Sequence, residues 1–255
     1  MNSSPKGKLY LVPAPLDFGC AVQAQLDDVM PMATLKIAAQ LSSWICENAK
    51  STRAYLKRVN EFQPLSHALQ ELKIQELPRE VHKKGDHSGN FDAKPLLIAA
   101  MEGGDIGLVS EAGMPAIADP GSSVVRAAHD LGIQVVALTG PMSLMLALAS
   151  SGLNGQNFAF VGYLPQEGSE RAQRIRELES IALKTGQTQI FIETPYRNTA
   201  LLQALLQTLQ SNTRLALSCG LTMSPGWTRS GLVSNWKKEK HAAPLDLPIV
   251  FCLGR

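Results

Sequence analysis

Residues Glu111 to Gly121, Glu-Ala-Gly-Met-Pro-Ala-Ile-Ala-Asp-Pro-Gly, join an apolar run at Ile106–Ser110 to a helical pattern of Val124, Val125, Ala128 and Leu131 that Gly132 closes. A strand that runs into a glycine- and proline-rich turn at a helix start exposes several backbone N–H and C=O groups together. Two ligand chemistries suit it: an anion at the helix N-terminus, or a flat heterocycle with a small zwitterion held by backbone groups. No Lys, Arg, Ser or Thr lies between Glu111 and Pro120, which argues against phosphate. Ala112, Gly113, Ala116 and Ala118 are small enough for a ligand to approach the backbone. A tight crossover without a ligand is the alternative. A second such turn, Thr139–Ser143, follows the apolar run Ile133–Leu138.

These turns require a sheet to hold them. Leu9–Val12, Leu41–Cys46, Ile106–Ser110 and Ile133–Leu138 read as strands, the third without a polar face, as in a parallel sheet covered on both sides. Asp92–Glu102 reads as a helix closed by Gly103 and Gly104. Asp119 reads as an N-cap with Pro120 as the first helical residue, and Pro141 and Gly152 as the start and stop of a further helix. Gln75–Asn90 is polar and reads as a mobile loop. Alternating strands and helices with short loops predict a parallel α/β sheet, whose ligands bind outside the carboxyl ends of the strands. Both turns lie there.

Asn154–Asn157 marks a boundary, so residues 1–153 are expected to form an N-terminal α/β domain and residues 154–255 a C-terminal one. In the second, Phe158–Pro165 and Thr188–Glu193 read as strands and Ser169–Leu183 as a charged helix. Thr194 and Pro195 open a helix bearing the stripe Leu201, Leu202, Leu205, Leu206 and Leu209. Arg214–Cys219, Thr228–Trp236 and Leu247–Leu253 read as strands with no helix between them, hence a mixed sheet.

Composition narrows the chemistry. The apolar fraction of 45% and charged fraction of 18% suit a soluble globular chain, and the run Leu144–Ala149, as long as any purely apolar run in the chain, is too short to span a bilayer. No signal-peptide core is present at the start, so a cytoplasmic location is expected. Four scattered cysteines form no C-x-x-C pair and five histidines no H-E-x-x-H, so no metal site is expected; the common ATP and NAD loops are also absent. Aromatics at 5% argue against a stacking platform for single-stranded nucleic acid. Residues 1–153 carry 13 basic and 15 acidic side chains and residues 154–255 carry 11 and 7, a mildly basic second half compatible with an RNA partner.

Leu108–Gly121 resembles the V-S-D-A-G-T-P-x-I-x-D-P-G segment of the tetrapyrrole methylase superfamily, in particular its branch containing the 16S rRNA ribose 2′-O-methyltransferase I family. Further segments match in order: Leu9–Leu16, Ile45–Lys57, Leu138–Leu153, and Phe158–Ile175 with Phe191–Asn198. The resemblance implies a two-domain α/β homodimer that holds S-adenosylmethionine in the cleft between domains. By match, the cofactor wall comprises Pro13, Glu111, Ala112, Gly113, Met114, Pro115 and Ile117, then Thr139, Gly140, Pro141, Met142 and Ser143. Val161, Gly162, Tyr163 and Leu164 complete it from the second domain. RNA of the small ribosomal subunit is the implied acceptor; a tetrapyrrole or other small molecule is the alternative, and a cofactor-binding protein without catalysis a third.

The family's Asp-Ala-Gly becomes Glu111-Ala112-Gly113 on the cofactor side, but the acceptor side is more altered. The family's Glu-Asp-Thr-Arg becomes Glu47-Asn48-Ala49-Lys50, and a lysine cannot reproduce a bidentate guanidinium contact. Pro-Thr-Pro-Ile-Gly-Asn becomes Pro13-Ala14-Pro15-Leu16-Asp17-Phe18, and the basic position after Leu164-Pro165 is Gln166, with Arg171 nearby. A ribose hydroxyl acceptor must lose its proton, and Glu47 and Glu193 are the candidates for that base or for acceptor positioning. Lys50, Arg53 and Arg197 are the candidate contacts to RNA.

Overall fold

Strands buried on both faces can only sit in the middle of a covered sheet, and Ile106–Val109 is buried along its whole length. The computed structural model describes residues 5–84, 91–238 and 244–255. The chain divides into two compact units, Met1–Gly19 with Gln23–Pro141, and Cys20–Val22 with Met142–Arg255.

The first unit runs β1 (Lys8–Leu11), α1 (Leu26–Val29), α2 (Met32–Gln40), β2 (Ser43–Cys46), α3 (Ala49–Phe62), β3 (Lys73–Glu76), α4 (Arg79–Lys84), a 3-10 turn at Lys94–Leu97 leading into α5 (Ile98–Met101), β4 (Ile106–Val109), α6 (Ser122–Asp130) and β5 (Gln134–Ala137). Its sheet has the order β3-β2-β4-β1-β5 and every described pairing is parallel. Alternation along the strands sends Trp44, Cys46 and Val109 to the core shared with α2 and α3. It sends Leu9, Ile45, Ile106 and Leu108 to the core shared with α5 and α6.

The second unit runs α7 (Ser143–Ser151), β6 (Phe158–Tyr163), α8 (Gly168–Thr185), β7 (Thr188–Glu193), a 3-10 turn at Pro195–Arg197, α9 (Asn198–Thr208), β8 (Arg214–Cys219), β9 (Trp227–Leu232), α10 (Val233–Lys238) and β10 (Ile249–Gly254). The order is β6-β7-β10-β8-β9, parallel between β6 and β7 and antiparallel elsewhere, the mixed sheet that the sequence predicts. Helices α8 and α9 cover one face through Ile175, Leu178, Leu201 and Leu205. The other face is covered by α7, whose Leu144, Ala147 and Leu148 pack on Ile190, Ala216, Val250 and Cys252. The division therefore falls at Pro141/Met142, ahead of this helix, whereas the sequence reading set its boundary at 153/154, behind it.

Several elements differ from the sequence expectation for identifiable reasons. The polar stretch from Gln75 is not all loop: it contains the end of β3 and α4, while residues 85–90 lie outside the described residues. The strand β3 is an edge strand and mostly exposed, so it lacks the apolar signature of its neighbours. Thr228–Trp236 is not one strand: Val233 and Trp236 turn inward on α10, so a short helix does intervene before β10. Helix α7 begins at Ser143, two residues beyond Pro141.

One long-range ion pair fastens the loop after β1. The Arg58 guanidinium on α3 donates to both oxygens of Asp17, at 2.9 and 3.0 Å, and to the carbonyl of Ala24 at 2.8 Å. Asp17 is buried and also accepts from the Ala24 backbone N–H at 2.9 Å. Removing one member of such a pair leaves an uncompensated charge. Asp17→Ala is therefore expected to lower the unfolding free energy by about 3 kcal/mol, measured by urea denaturation, with Arg58→Ala in the same background adding little.

Candidate functional site

Adjacent strands in the order β2-β4-β1-β5 bring four carboxyl-end loops side by side within the first unit. Two of them are tied together: Ala14 and Gly113 exchange backbone hydrogen bonds of 2.9 Å each way, an antiparallel bridge just beyond β1 and β4. The peptide after β4 is then forced through left-handed conformations at Gly113 (φ 69°), Ala116 (φ 66°), Ala118 (φ 66°) and Gly121 (φ 133°). Glycine adopts such angles freely, but two alanines there store backbone strain, of the kind that collects at functional sites. Within the loop, Ala116 N–H donates to the Pro120 carbonyl at 3.3 Å and Ile117 N–H to Met114 at 3.4 Å.

This path changes the role of Asp119. The helix α6 starts at Ser122 with Gly121 in the N-cap position and no side-chain cap, so Asp119 does not cap it and Pro120 does not open it. The φ of Gly121, which no side chain tolerates well, sets the helix start two residues later than the Asp-Pro pair suggests. Asp119 instead joins the electrostatic environment of Glu47 and Glu111. Burial, with the neighbouring carboxylates of Asp119 and then Glu111, pushes the Glu47 carboxyl up to about 8, and a backbone hydrogen bond from Glu111 opposes this. Burial and then Glu111 push Asp119 up to about 7. Glu111 itself accepts from the Ser51 hydroxyl at 3.2 Å. Two atoms at these strand ends are buried with no hydrogen-bond partner, Glu47 Oε1 and Ser110 Oγ. Among the described residues, no cluster of three or more His, Cys, Asp or Glu could hold a metal ion.

The other residues singled out from the sequence are placed as follows. Pro13 is buried; its carbonyl accepts from the Tyr55 hydroxyl at 3.1 Å, and its ring is so close to Gly140 that a Cβ there would lie 2.2 Å from Pro13 Cγ. Gly113 and Pro115 are buried, Glu111, Ala112 and Met114 half-buried, and Ile117 is 40% exposed. Thr139 is exposed with its carbonyl held by Thr34 Oγ1 at 2.7 Å, Gly140 half-buried and Pro141 buried. Asn48 caps α3, accepting from the N–H groups of Lys50 and Ser51, and Glu76 Oε1 accepts from Ala49 N–H at 2.7 Å. Lys50 and Arg53 are exposed on α3.

In the second unit, Met142 and Ser143 stand half-buried at the start of α7. Val161 and Gly162 lie in an irregular stretch of β6 where the register with β7 shifts, with Gly162 at φ 73°; Tyr163 is 56% exposed and Leu164 is buried. Glu193 is buried, and its Oε1 accepts from Thr194 N–H, the Thr194 hydroxyl and Arg197 Nε at 2.7, 3.2 and 2.9 Å. Arg197 also lies 5.2 Å from the centre of the exposed Tyr196 ring. Asp119 and Ser110 are the residues that sequence reasoning missed as members of the site. The Asp-Pro pair resembles a helix start, and Ser110 reads as the last residue of a strand.

Residues 36–225 match the family of tetrapyrrole (corrin/porphyrin) methylases. The chain belongs to that family. It is 31% identical over 250 residues to the ribosomal RNA small subunit methyltransferase I of Mesorhizobium japonicum, covering 96% of this chain and 74% of that protein. To the protein of the same name from Halalkalibacterium halodurans it is 34% identical over 194 residues, covering 75% and 57%. The chain thus spans between about half and three quarters of the length of these relatives. Its fold is similar to that of the crystal structure of the methyltransferase CobJ, with a TM-score of 0.57 at 16% identity over 98% of this chain and 94% of that one.

For this methylase, the raised carboxyls give a pH signature of stability. Glu47 and Asp119 hold protons in the folded state that the unfolded chain releases at ordinary carboxylate pH, so stability falls as pH rises from about 4 towards 8. Glu47→Gln removes the buried charge and keeps the shape. It is expected to stabilise the protein at pH 8.5 by about 2 kcal/mol, partial exposure included, and to have little effect at pH 4.5, as read by denaturation at the two pH values.

Proposed function

We propose that this chain is an S-adenosylmethionine-dependent methyltransferase that methylates a ribose 2′-hydroxyl in RNA of the small ribosomal subunit, working as a homodimer. The observation that carries the reading is the conjunction, at the ends of β2 and β4, of a strained loop of small residues with two buried polar atoms that lack partners. A protein retains such unsatisfied groups at a cost of about 1–3 kcal/mol each, and a ligand offering hydrogen bonds recovers it. The curated relatives, named as rRNA methyltransferases, support RNA as the acceptor.

Ala112, Met114 and Ile117 supply small and apolar surface for a nucleoside, with Glu111, Gly113, Pro115, Thr139, Gly140 and Pro141 as their frame. Met142, Ser143, Val161, Gly162, Tyr163 and Leu164 are proposed for the cofactor on the family resemblance alone. Pro13 acts through Gly140 and Tyr55, which it touches. When bound, S-adenosylmethionine supplies a methyl group already activated by its sulfonium. The chain therefore has to align the acceptor and take its proton rather than perform covalent chemistry. Glu47 is the proposed base. Glu193, engaged by three donors, holds Arg197 in place for the RNA. Lys50 and Arg53, one helical turn apart and exposed, meet phosphates.

Isothermal titration with S-adenosylhomocysteine is expected to show one site per chain, and labelled S-adenosylmethionine is expected to methylate small-subunit particles in an alkali-resistant linkage. No binding at millimolar ligand contradicts the cofactor; transfer only to small tetrapyrroles contradicts the acceptor. Lys50→Ala with Arg53→Ala is expected to weaken RNA binding and reduce its log–log salt slope by about one per lost phosphate contact, leaving cofactor affinity unchanged.

A further inference from the structure

In the second unit, the turn after β7 and the segment entering β10 together line a groove of about 570 Å3. The turn and the start of α9 supply Pro195, Tyr196 and Thr199, and the segment supplies Pro244, Leu245 and Asp246. Both walls are fixed from behind. Glu193 Oε1 accepts from Thr194 N–H, the Thr194 hydroxyl and Arg197 Nε, and Arg197 Nη2 lies 2.8 Å from it. Asn198 is fully buried, and its Nδ2 donates to the carbonyls of Leu245 and Leu247 at 2.9 and 3.0 Å. The Pro244 carbonyl accepts from Trp227 Nε1 at 3.3 Å and Cys219 Sγ at 3.6 Å. Asn198 Oδ1 is buried without a partner, so that side chain holds the segment while leaving its own acceptor unsatisfied.

The contents of the groove are specific. The Tyr196 ring is 80% exposed, and the Arg197 guanidinium carbon lies 5.2 Å from its centre. The turn thus offers an aromatic face beside a cation, and prolines and a leucine add flat apolar surface. Asp246 is exposed on the facing segment, and among the described residues no ion pair engages it. A nucleotide matches this distribution: a ring to stack, an anionic phosphate for the arginine and donors on the base edge for the carboxylate. The identity of the base follows from the carboxylate, which has two acceptor oxygens and no donor. Guanine alone carries two adjacent donors, N1–H and N2–H, on its Watson–Crick edge. Adenine and cytosine set a ring acceptor beside one amino group, and uracil flanks one N–H with two carbonyls.

We propose that this groove receives one unpaired guanine of the RNA acceptor, stacked on Tyr196, with its Watson–Crick edge donating to Asp246 and its phosphate drawn to Arg197. The proposal rests on the RNA reading above and gives it a sequence preference. A single ring serves a single base, so the low aromatic content, which argues against a platform for many bases, is compatible with it. Asn198, Trp227 and Cys219 act as positioning residues, because they hold the segment that carries Asp246.

The test uses the full chain and short fluorescent single-stranded RNAs of uridine with one central guanine, adenine, cytosine or uracil, read by anisotropy at fixed salt. The guanine oligomer is expected to bind about tenfold tighter than the other three. Asp246→Ala should erase that preference and leave the uridine oligomer's affinity within about threefold. Tyr196→Ala should weaken the guanine oligomer about tenfold or more, and Tyr196→Phe should retain its affinity, because the ring does the stacking. Both side chains are exposed, so urea midpoints of the variants should match that of the parent chain. Equal affinity for all four oligomers, or a guanine preference that survives Asp246→Ala, overturns the proposal. Tyr196→Phe as damaging as Tyr196→Ala overturns the stacking role. Absence of binding to any oligomer also overturns the guanine site, while methyl transfer to small-subunit particles by the same preparation would leave the RNA reading standing. A guanine preference in a chain that transfers methyl to no RNA supports the groove and contradicts the methyl-transfer reading alone.

Discussion

The pair of hydrogen bonds between Ala14 and Gly113 is the constraint on which the first unit's chemistry depends. Parallel strands separate at their carboxyl ends unless something joins the loops beyond them. Here the bridge fixes the start of the loop after β4, and the helix α6 fixes its end, leaving a short span that must double back. Ala116 and Ala118 absorb that reversal in conformations costing about 1 kcal/mol or more apiece. The same reversal carries Asp119 away from the helix start and towards Glu47 and Glu111. Pro13 and Gly140 extend the frame to β5 through a contact too close for any side chain at Gly140. The strain at the two alanines and the displacement of Asp119 from the helix start thus share one cause.

The altered acceptor motif makes physical sense in this frame. Asn48, where the motif it resembles has Asp, caps α3 through its carbonyl oxygen, which accepts from the N–H groups of Lys50 and Ser51. Lys50 is exposed, so within this chain it replaces no buried bidentate contact. After β1 the Asp17–Arg58 pair fastens the following loop to α3. In the second unit, Glu193 and Arg197 form a similar fastening on a smaller scale, four residues apart.

Most of the fold was legible because buried parallel strands have no polar face and because glycine and proline punctuate the turns. The central strand β4, the helix α6 and the leucine stripe of α9 all follow from that logic. The edge strand β3 escaped it because one side is open to solvent, and α10 because it is a six-residue helix with only Val233 and Trp236 buried, too short to show a helical period. The location of the candidate site was legible from the Gly-Pro turns, but its electrostatics were not. Nothing in the types of Ala116 and Ala118 announces positive φ, and without that the Asp119-Pro120 pair reads as a helix cap. The Asp17–Arg58 pair, 41 residues apart, is likewise visible only in three dimensions.

The most direct measurement of the central claim is a crystal structure of the chain with S-adenosylhomocysteine bound. The account predicts the nucleoside against Ala112, Met114 and Ile117, with Ala116 and Ala118 still left-handed and the Ala14–Gly113 bridge intact. A nucleoside bound elsewhere, or a loop relaxed to ordinary φ at both alanines once ligand is present, contradicts it.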